Sequence, residues 1–220
     1  MSTQTPIVFI CFNRPDKTRQ VWDVIRKARP QKLFIVADGP RSKDDYARCE
    51  AVREIVDNVD WECEVVRRHQ DINLGCGPNV SSGLTWAFEQ VEEAIILEDD
   101  TVPHSDFFRF CDAVIPLYRD QKKVMAVTGL NWQDGISRTQ ASYFFSAYPG
   151  IWGWATWRDR WELYDYSLRD LNDYIASGDI RWISSSRSEQ EFHLKSFKWS
   201  CANRDATWDI QWKYCVFKQH

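Results

Sequence analysis

Histidine is scarce in this chain, four among 220 residues, and its seven cysteines include no C-x-x-C pair. Cys11, Cys49, Cys63, Cys76, Cys111, Cys201 and Cys215 are odd in number, so neither a cysteine-and-histidine zinc site nor a closed disulfide framework is expected. They read as small buried hydrophobes or free thiols of a reducing compartment, and the expected location is cytoplasmic. Long hydrophobic runs are missing too. The opening "MSTQTPIVFICFNRPDK" carries no basic segment and only six consecutive apolar residues, far from a signal peptide or the roughly 20 residues of a membrane span. No transmembrane segment is expected anywhere, which leaves peripheral association, through a partner or a segment outside this sequence, as the route to a membrane. Nor is there a basic surplus. With 28 Lys and Arg against 32 Asp and Glu, a formal net charge of -4, the chain has no stripe for nucleic acid, and no nucleic-acid partner is expected.

The chain does have apolar mass. At 44% hydrophobic and this length, it can hide roughly 70% of its unfolded surface in a single core. No repeat or low-complexity segment interrupts it. Short apolar runs alternate with amphipathic stretches over the first 131 residues, the pattern of a mostly parallel sheet covered by helices. Strands are expected at Ile7 to Phe12, Leu33 to Ala37, Glu64 to Arg67, Ala94 to Leu97 and within "VMAVTGL". Helices are expected from the residues after "NRPDK" to about Arg29, at Asp44 to Val56, at Val80 to Gln90 and at Phe107 to Tyr118.

From residue 132 the character changes: nine of the twelve tryptophans lie there. Residues 132–220 read as an aromatic-rich lobe packed on the same sheet as the α/β half, 1–131, with helical stretches near Asp170 to Ser177 and Ser188 to Asn203. Trp152, Trp154, Trp157 and Trp161 recur at near-helical spacing and read as core, although single rings could stack on a sugar. The apolar run in "KYCVFKQH", close to the end, suggests a further C-terminal portion.

Chemistry concentrates where strands end. In open α/β sheets, ligands bind beyond the carboxyl ends of the strands; here "NRPD", "DGPR" and "EDD" follow the first, second and fourth strands. Glu98, Asp99 and Asp100 cannot all ionise in close quarters without a cation, because adjacent carboxylates raise one another's pKa. Mg²⁺ or Mn²⁺, held by one or two carboxylates together with a substrate diphosphate, would satisfy them. An isolated E-D-D also reads as a solvated turn before the helix near Ser105. His69, His104 and His193 show no ligand spacing and read as structural or surface residues.

These motifs together resemble the GT-A glycosyltransferases, in particular the group of N-acetylglucosaminyltransferase I and its bacterial relatives. The resemblance is carried by "PIVFICFNRP", "VADG", "AIILEDDTVPHSDFFRFCDAVIPLYRDQKKVMAVTGLNW", "GIWGWATWRDRWELYD" and "TWDIQW", in that order and over nearly the whole chain. It implies an α/β GT-A (Rossmann-like) fold with a C-terminal acceptor lobe, and an inverting, metal-dependent hexosyltransferase that moves sugar from a UDP-sugar to a hydroxyl of a glycan or related acceptor. By the same resemblance Asp100 ligates the metal, Asp99 contacts the ribose and Glu98 the donor sugar. Asp38 accepts the uracil N–H, and Arg14, after Asn13, contacts phosphate with its cationic fork. Asp209 is the implied catalytic base, taking the acceptor proton, with Trp208 lining the sugar pocket. Trp152 and Trp154 are the implied acceptor contacts. "NLGCGPN" resembles the loop after the third strand, where Asn73 would hydrogen-bond the nucleotide and Gly75 and Gly77 would give it room; it reads equally as a plain turn.

The resemblance is incomplete at the end, where many such enzymes carry a flexible segment with a histidine that completes the metal or phosphate contacts; His220 is not assigned that role, which leaves metal affinity and closure over the donor open. Three rivals remain. A sugar nucleotidyltransferase would show a glycine-rich signature, and "CFNRPDKTR" has no glycine. A non-catalytic nucleotide-sugar or carbohydrate-binding subunit would keep the fold without turnover. A metal-dependent phosphohydrolase would need more ligands than the sequence offers.

Overall fold

The computed structural model of the chain describes residues 2–219. At their centre lies a six-stranded sheet in the order β3-β2-β1-β4-β6-β5. Its strands are β1 (Ile7–Cys11), β2 (Lys32–Ala37), β3 (Glu64–His69), β4 (Glu93–Glu98), β5 (Val127–Thr128) and β6 (Trp154–Trp157). The first four pair in parallel, while β6 runs antiparallel to both β4 and β5. The protein is therefore α/β, with a mixed, mostly parallel sheet. Its helices are α1 (Pro15–Ala28), α2 (Lys43–Asp57), α3 (Cys76–Phe88), α4 (Asp106–Tyr118), the single turn α5 (Arg158–Trp161), α6 (Leu171–Ser177), α7 (Arg187–Ala202) and α8 (Asp209–Phe217). No described helix is long and apolar enough to cross a membrane.

Local chemistry starts the first helix where the crevice needs it. Pro15 opens α1, where a missing N–H costs nothing, Asp16 sits in its first turn and Arg26 and Lys27 in its last, each complementing the helix dipole. Strands β1, β2 and β4 are buried on both faces. Ile7, Phe9 and Cys11 point into a core shared with α1, α2 and α4, and Val8 and Ile10 into one shared with α3 and α8. Two-sided burial is why these strands read as unbroken apolar runs instead of alternating ones.

Two expectations change. "VMAVTGL" shrinks to the two-residue β5. The tryptophan-rich segment, whose spacing looked helical, forms strand β6, and only Arg158–Trp161 turns helical. All four residues of β6 are buried, so the run has no polar face to reveal a period of two, and four tryptophans fell on a helical spacing by coincidence. Because β6 lies between β4 and β5, the aromatic half contributes a strand to the same sheet.

A third apolar cluster, including Leu168, Tyr174, Phe197, Tyr214 and Phe217, packs α6, α7 and α8 together. His193 is buried against it, at 5% exposure, with Nδ1 unpartnered and Nε2 3.8 Å from Glu189. Burial, then Lys213, lowers its pKa, against the opposing pull of Glu189. A histidine depressed in the folded state supports stability above the unfolded value of about 6.5, and that support is lost as pH falls through and below it. His193→Phe is therefore expected to reduce the loss of unfolding free energy between pH 7.5 and pH 5, measured by denaturant titration at both; an unchanged slope would show that His193 is already solvated.

Candidate active site

From β1 the chain builds outward through β2 and β3, then returns to place β4 on the other side of β1. Strand order reverses between β1 and β4, the kind of switch point at which α/β sheets open a crevice. Phe12, Asn13 and Arg14 leave the end of β1 there, and Glu98, which pairs with Ile10, leads into Asp99 and Asp100.

In the protein alone, the partner of this acidic turn is Arg14. Its guanidinium forks, one nitrogen donating to Asp99 and the other to Asp100 at 2.9 Å. The Asp99 side chain is only 2% exposed and also accepts from the Phe12 amide at 3.3 Å. Burial raises its pKa while Arg14 and that amide oppose the rise. The Arg14 and Asp100 side chains are each about half exposed, at 49% and 48%, so their mutual contact is weak and readily exchanged. One guanidinium cannot satisfy three carboxylates. Glu98 has no side-chain hydrogen bond or ion pair among the described residues, and its pKa is raised to about 7 by burial first, then by Asp100, Asp99 and Asp209, with Arg14 opposing.

Asp209 reaches this group from a different element. It is the first residue of α8, and the Thr207 hydroxyl donates to its Oδ1. The closeness of α8 to β4 and α3 is visible in Cys76, whose thiol is pushed up to about 11 by desolvation first and then by the charges of Glu98 and Asp209. Gly77 makes the approach possible. A Cβ there would lie 2.5 Å from the Tyr166 hydroxyl and 2.9 Å from the Thr207 carbonyl, contacts that no side chain tolerates.

Three expected contacts, of Asp38, Trp154 and Trp208, need correction, and that of Asn73 narrows. Asp38 has no acceptor site left for a uracil N–H. Its Oδ1 accepts from the Gly39 and Leu74 amides at 2.9 and 2.8 Å, and its Oδ2 from the Asn73 side chain and the Gly75 amide at 2.9 and 3.1 Å. Four bonds fill the four lone-pair positions of a carboxylate. The Asn73 NH₂ is committed in the same cage, donating also to the Gly39 carbonyl at 2.9 Å, which leaves only its Oδ1 for a ligand; Asp38 and Asn73 thus pin the loop after β3 to the end of β2. Gly39 is required there because a Cβ would meet the Ile72 backbone at 2.4 Å. Trp154 and Trp208, expected on acceptor and donor sugar, are 0% and 2% exposed and stack on each other, with centroids 5.6 Å apart and planes 19° apart. They are core. Trp152 is 56% exposed and keeps a free face.

Asn13 is also engaged, donating to Asp45 at 2.6 Å. Arg41 first, and then Asn13, holds the Asp45 carboxylate down at about 2, which ties the loops after β1 and β2 together. Glu98, Asp99, Asp100 and Arg14 are thus brought together, with Asp209 near enough for its charge to raise the Glu98 pKa, whereas Asn13, Asp38 and Asn73 serve as the frame around them. His104 lies outside, exposed and 3.5 Å from Asp106, and His220 lies outside the described residues. The sequence reading missed Thr207, which lies one residue ahead of the Trp208 N-cap of α8, and Trp132.

Among the described residues, no three His, Cys, Asp or Glu side chains are grouped to hold a metal ion. The donor set fits Mg²⁺ or Mn²⁺ only as such ions are commonly held beside phosphates, by one or two carboxylates with ligand oxygens and water completing the shell. Asp100, weakly paired, and Glu98, unpaired, are the groups available. Compared with protein-family models and with curated proteins, the chain matches none.

Proposed function

We propose that the protein is an inverting, metal-dependent glycosyltransferase of the GT-A type, which transfers a sugar from a nucleotide-diphosphate donor, UDP-sugar by the resemblance above, to a hydroxyl of a glycan. The observation that carries this reading is the convergence, at the β1 and β4 switch point, of carboxylates from two separate elements: Glu98 and Asp100 at the end of β4, and Asp209 at the start of α8.

Such a divalent ion, held by Asp100, would supply Lewis-acid stabilisation of the departing diphosphate. The chain's own residues do the rest. Arg14 exchanges its half-exposed contact with Asp100 for a phosphate oxygen, while its bond to buried Asp99 keeps the guanidinium aimed into the crevice. Glu98, raised by burial and by the neighbouring carboxylates and free of any side-chain partner among the described residues, is suited to hydrogen-bond sugar hydroxyls. Asp209 takes the acceptor proton on the lone pairs that Thr207 leaves free. With Asp38 saturated, selection of the base falls to other groups, for which the 73–75 loop is the nearest frame.

The test is calorimetric. UDP is expected to bind more tightly with Mn²⁺ than with EDTA, and Asp100→Asn is expected to abolish that difference, a loss of about tenfold or more in affinity. Wild-type binding indifferent to metal would remove the metal from the reading. The rival reading is a binding subunit without turnover, in which Asp209, held by the Thr207 hydroxyl, takes no acceptor proton. It would keep the metal-linked UDP titration and show no transfer or hydrolysis of any UDP-sugar.

A further inference from the structure

Of the nine tryptophans from Trp132 onward, Trp154, Trp157, Trp161, Trp208 and Trp212 are buried. Trp132 and Trp152 are the opposite case. They are 69% and 56% exposed, yet they face each other with centroids 5.6 Å apart and planes tilted by 54°. At that tilt neither ring covers the other, and each keeps a free π-face.

The sheet puts this pair beside the acidic turn. Trp154 of β6 pairs with Ile96 of β4 on one side and Thr128 of β5 on the other, so Trp152 and Trp132 lie on the segments entering β6 and leaving β5 at the edge where β4 ends in Glu98. Gly153, at φ 72°, lies against Leu97 and Thr101, with a Cβ position 3.8 and 3.7 Å from their side chains; those two residues bracket Glu98 to Asp100. The two segments are also clamped to each other. The Gly129 amide donates to the Gly153 carbonyl at 2.9 Å, and Gly150 comes so close that a Cβ would meet Thr128 Oγ1 at 2.7 Å and Leu130 Cβ at 3.1 Å. The indoles are therefore held at fixed spacing by backbone contacts rather than left on free loops.

We propose that Trp132 and Trp152 form a stacking cleft for a pyranose of the acceptor, and that this acceptor end is electrically neutral. The word acceptor rests on the glycosyltransferase reading; the cleft does not. An indole offers a flat apolar face to the axial C–H groups of a pyranose and loses little entropy in doing so. Polar amides flank the ring in sequence: Asn131 accepts from the Gln133 amide at 3.0 Å, which leaves its side-chain NH₂ to donate to a hydroxyl. Neutrality follows from the charges next door. The carboxylates of Glu98, Asp99, Asp100 and Asp209 outnumber the neighbouring guanidiniums, Arg14 in the crevice and Arg138, which donates to Gln133 beside Trp132, so a uronate, a sialic acid or a phosphate on the cleft would meet net negative charge. A protein partner fits less well. Two tryptophans contribute at most about 250 Å² each, short of the roughly 800 Å² per side of a standard interface, and the neighbouring Phe145 packs elsewhere, against Tyr118 and Tyr143.

The experiment uses protein labelled with 5-fluorotryptophan, the two resonances being assigned by their loss in Trp132→Phe and Trp152→Phe. Cellobiose, lactose, maltose and chitobiose are titrated in, with a glucuronate-containing disaccharide as the anionic control and UDP with Mn²⁺ in a parallel sample. At least one neutral disaccharide is expected to shift both resonances, to bind tenfold or more weakly in Trp132→Ala and in Trp152→Ala, and to outcompete the anionic sugar in affinity; UDP affinity stays within twofold in both variants. The buried tryptophan signals report that each variant is folded. Unmoved resonances with every neutral sugar, shifts that survive both alanine variants, or an anionic sugar bound as tightly would each overturn the cleft. Loss of UDP binding in the wild type with sugar shifts intact would instead sink the donor-site reading and leave the cleft standing.

Discussion

Asp209→Asn is expected to lower turnover by about 10² to 10⁴, the usual contribution of a positioned general base, while leaving UDP affinity within about threefold. The amide is the same size as the carboxylate and its oxygen can still accept from Thr207, which donates to Asp209 in the native protein. What it loses is the capacity to take a proton. The change also removes a negative charge from the first turn of α8, where an acid stabilises by roughly 0.3–1 kcal/mol, so the variant remains folded and its melting temperature falls by a few degrees at most. Single-turnover sugar transfer, measured beside calorimetric UDP binding, separates the two effects. A variant that transfers at the native rate would move the base to Glu98, the other carboxyl of the crevice, whose pKa of about 7 already lies near the working range of a general base.

Much of the architecture was legible because buried parallel strands leave unbroken apolar runs and because turns that follow them attract polar residues. "IVFIC" with Asn13 and Arg14 behind it, and "EAIILE" with Asp99 and Asp100 behind it, are strands that the fold sets side by side. The ownership of hydrogen bonds was not legible. "VADG" and "NLG" lie 35 residues apart, and only tertiary structure reveals that Asn73, Leu74 and Gly75 close on Asp38 and exhaust its acceptors. The same holds for Arg14, which suits a phosphate or a carboxylate equally well by its chemistry; in the protein alone it takes the carboxylates.

Helix α8 escaped for a different reason. Gln211, Trp212, Tyr214, Cys215, Val216 and Phe217 are all buried, so the helix has no polar stripe and its sequence shows only an apolar run. Segment 150–161 misled in the converse way, by offering a helical spacing where strand pairing to β4 decided the conformation. Which tryptophans face solvent was then fixed by that pairing. Trp152 and Trp154 are two residues apart, yet Gly153 at φ 72° between them breaks the strand, so one ring is left outside while the other enters the core.

That division predicts a large stability effect. Trp154→Ala is expected to cost about 3–5 kcal/mol, as large-to-small changes at fully buried aromatic sites do, and to lower the melting temperature by roughly 10 °C or more at this chain length. The ring lies 5.2 Å from Trp212, 5.6 Å from Trp208 and 6.4 Å from Trp161, so its removal unsupports both the strand β6 and the start of α8 that carries Asp209. Trp152→Ala, by contrast, changes stability by less than about 0.5 kcal/mol, the range of ordinary surface substitutions. Denaturant unfolding of the two variants side by side makes the contrast measurable without any ligand. If Trp154 were a sugar platform held in reserve, its loss would spare the unliganded protein and weaken only binding; a stability loss of several kcal/mol assigns it to the core, and with it Trp208, the ring stacked on its face.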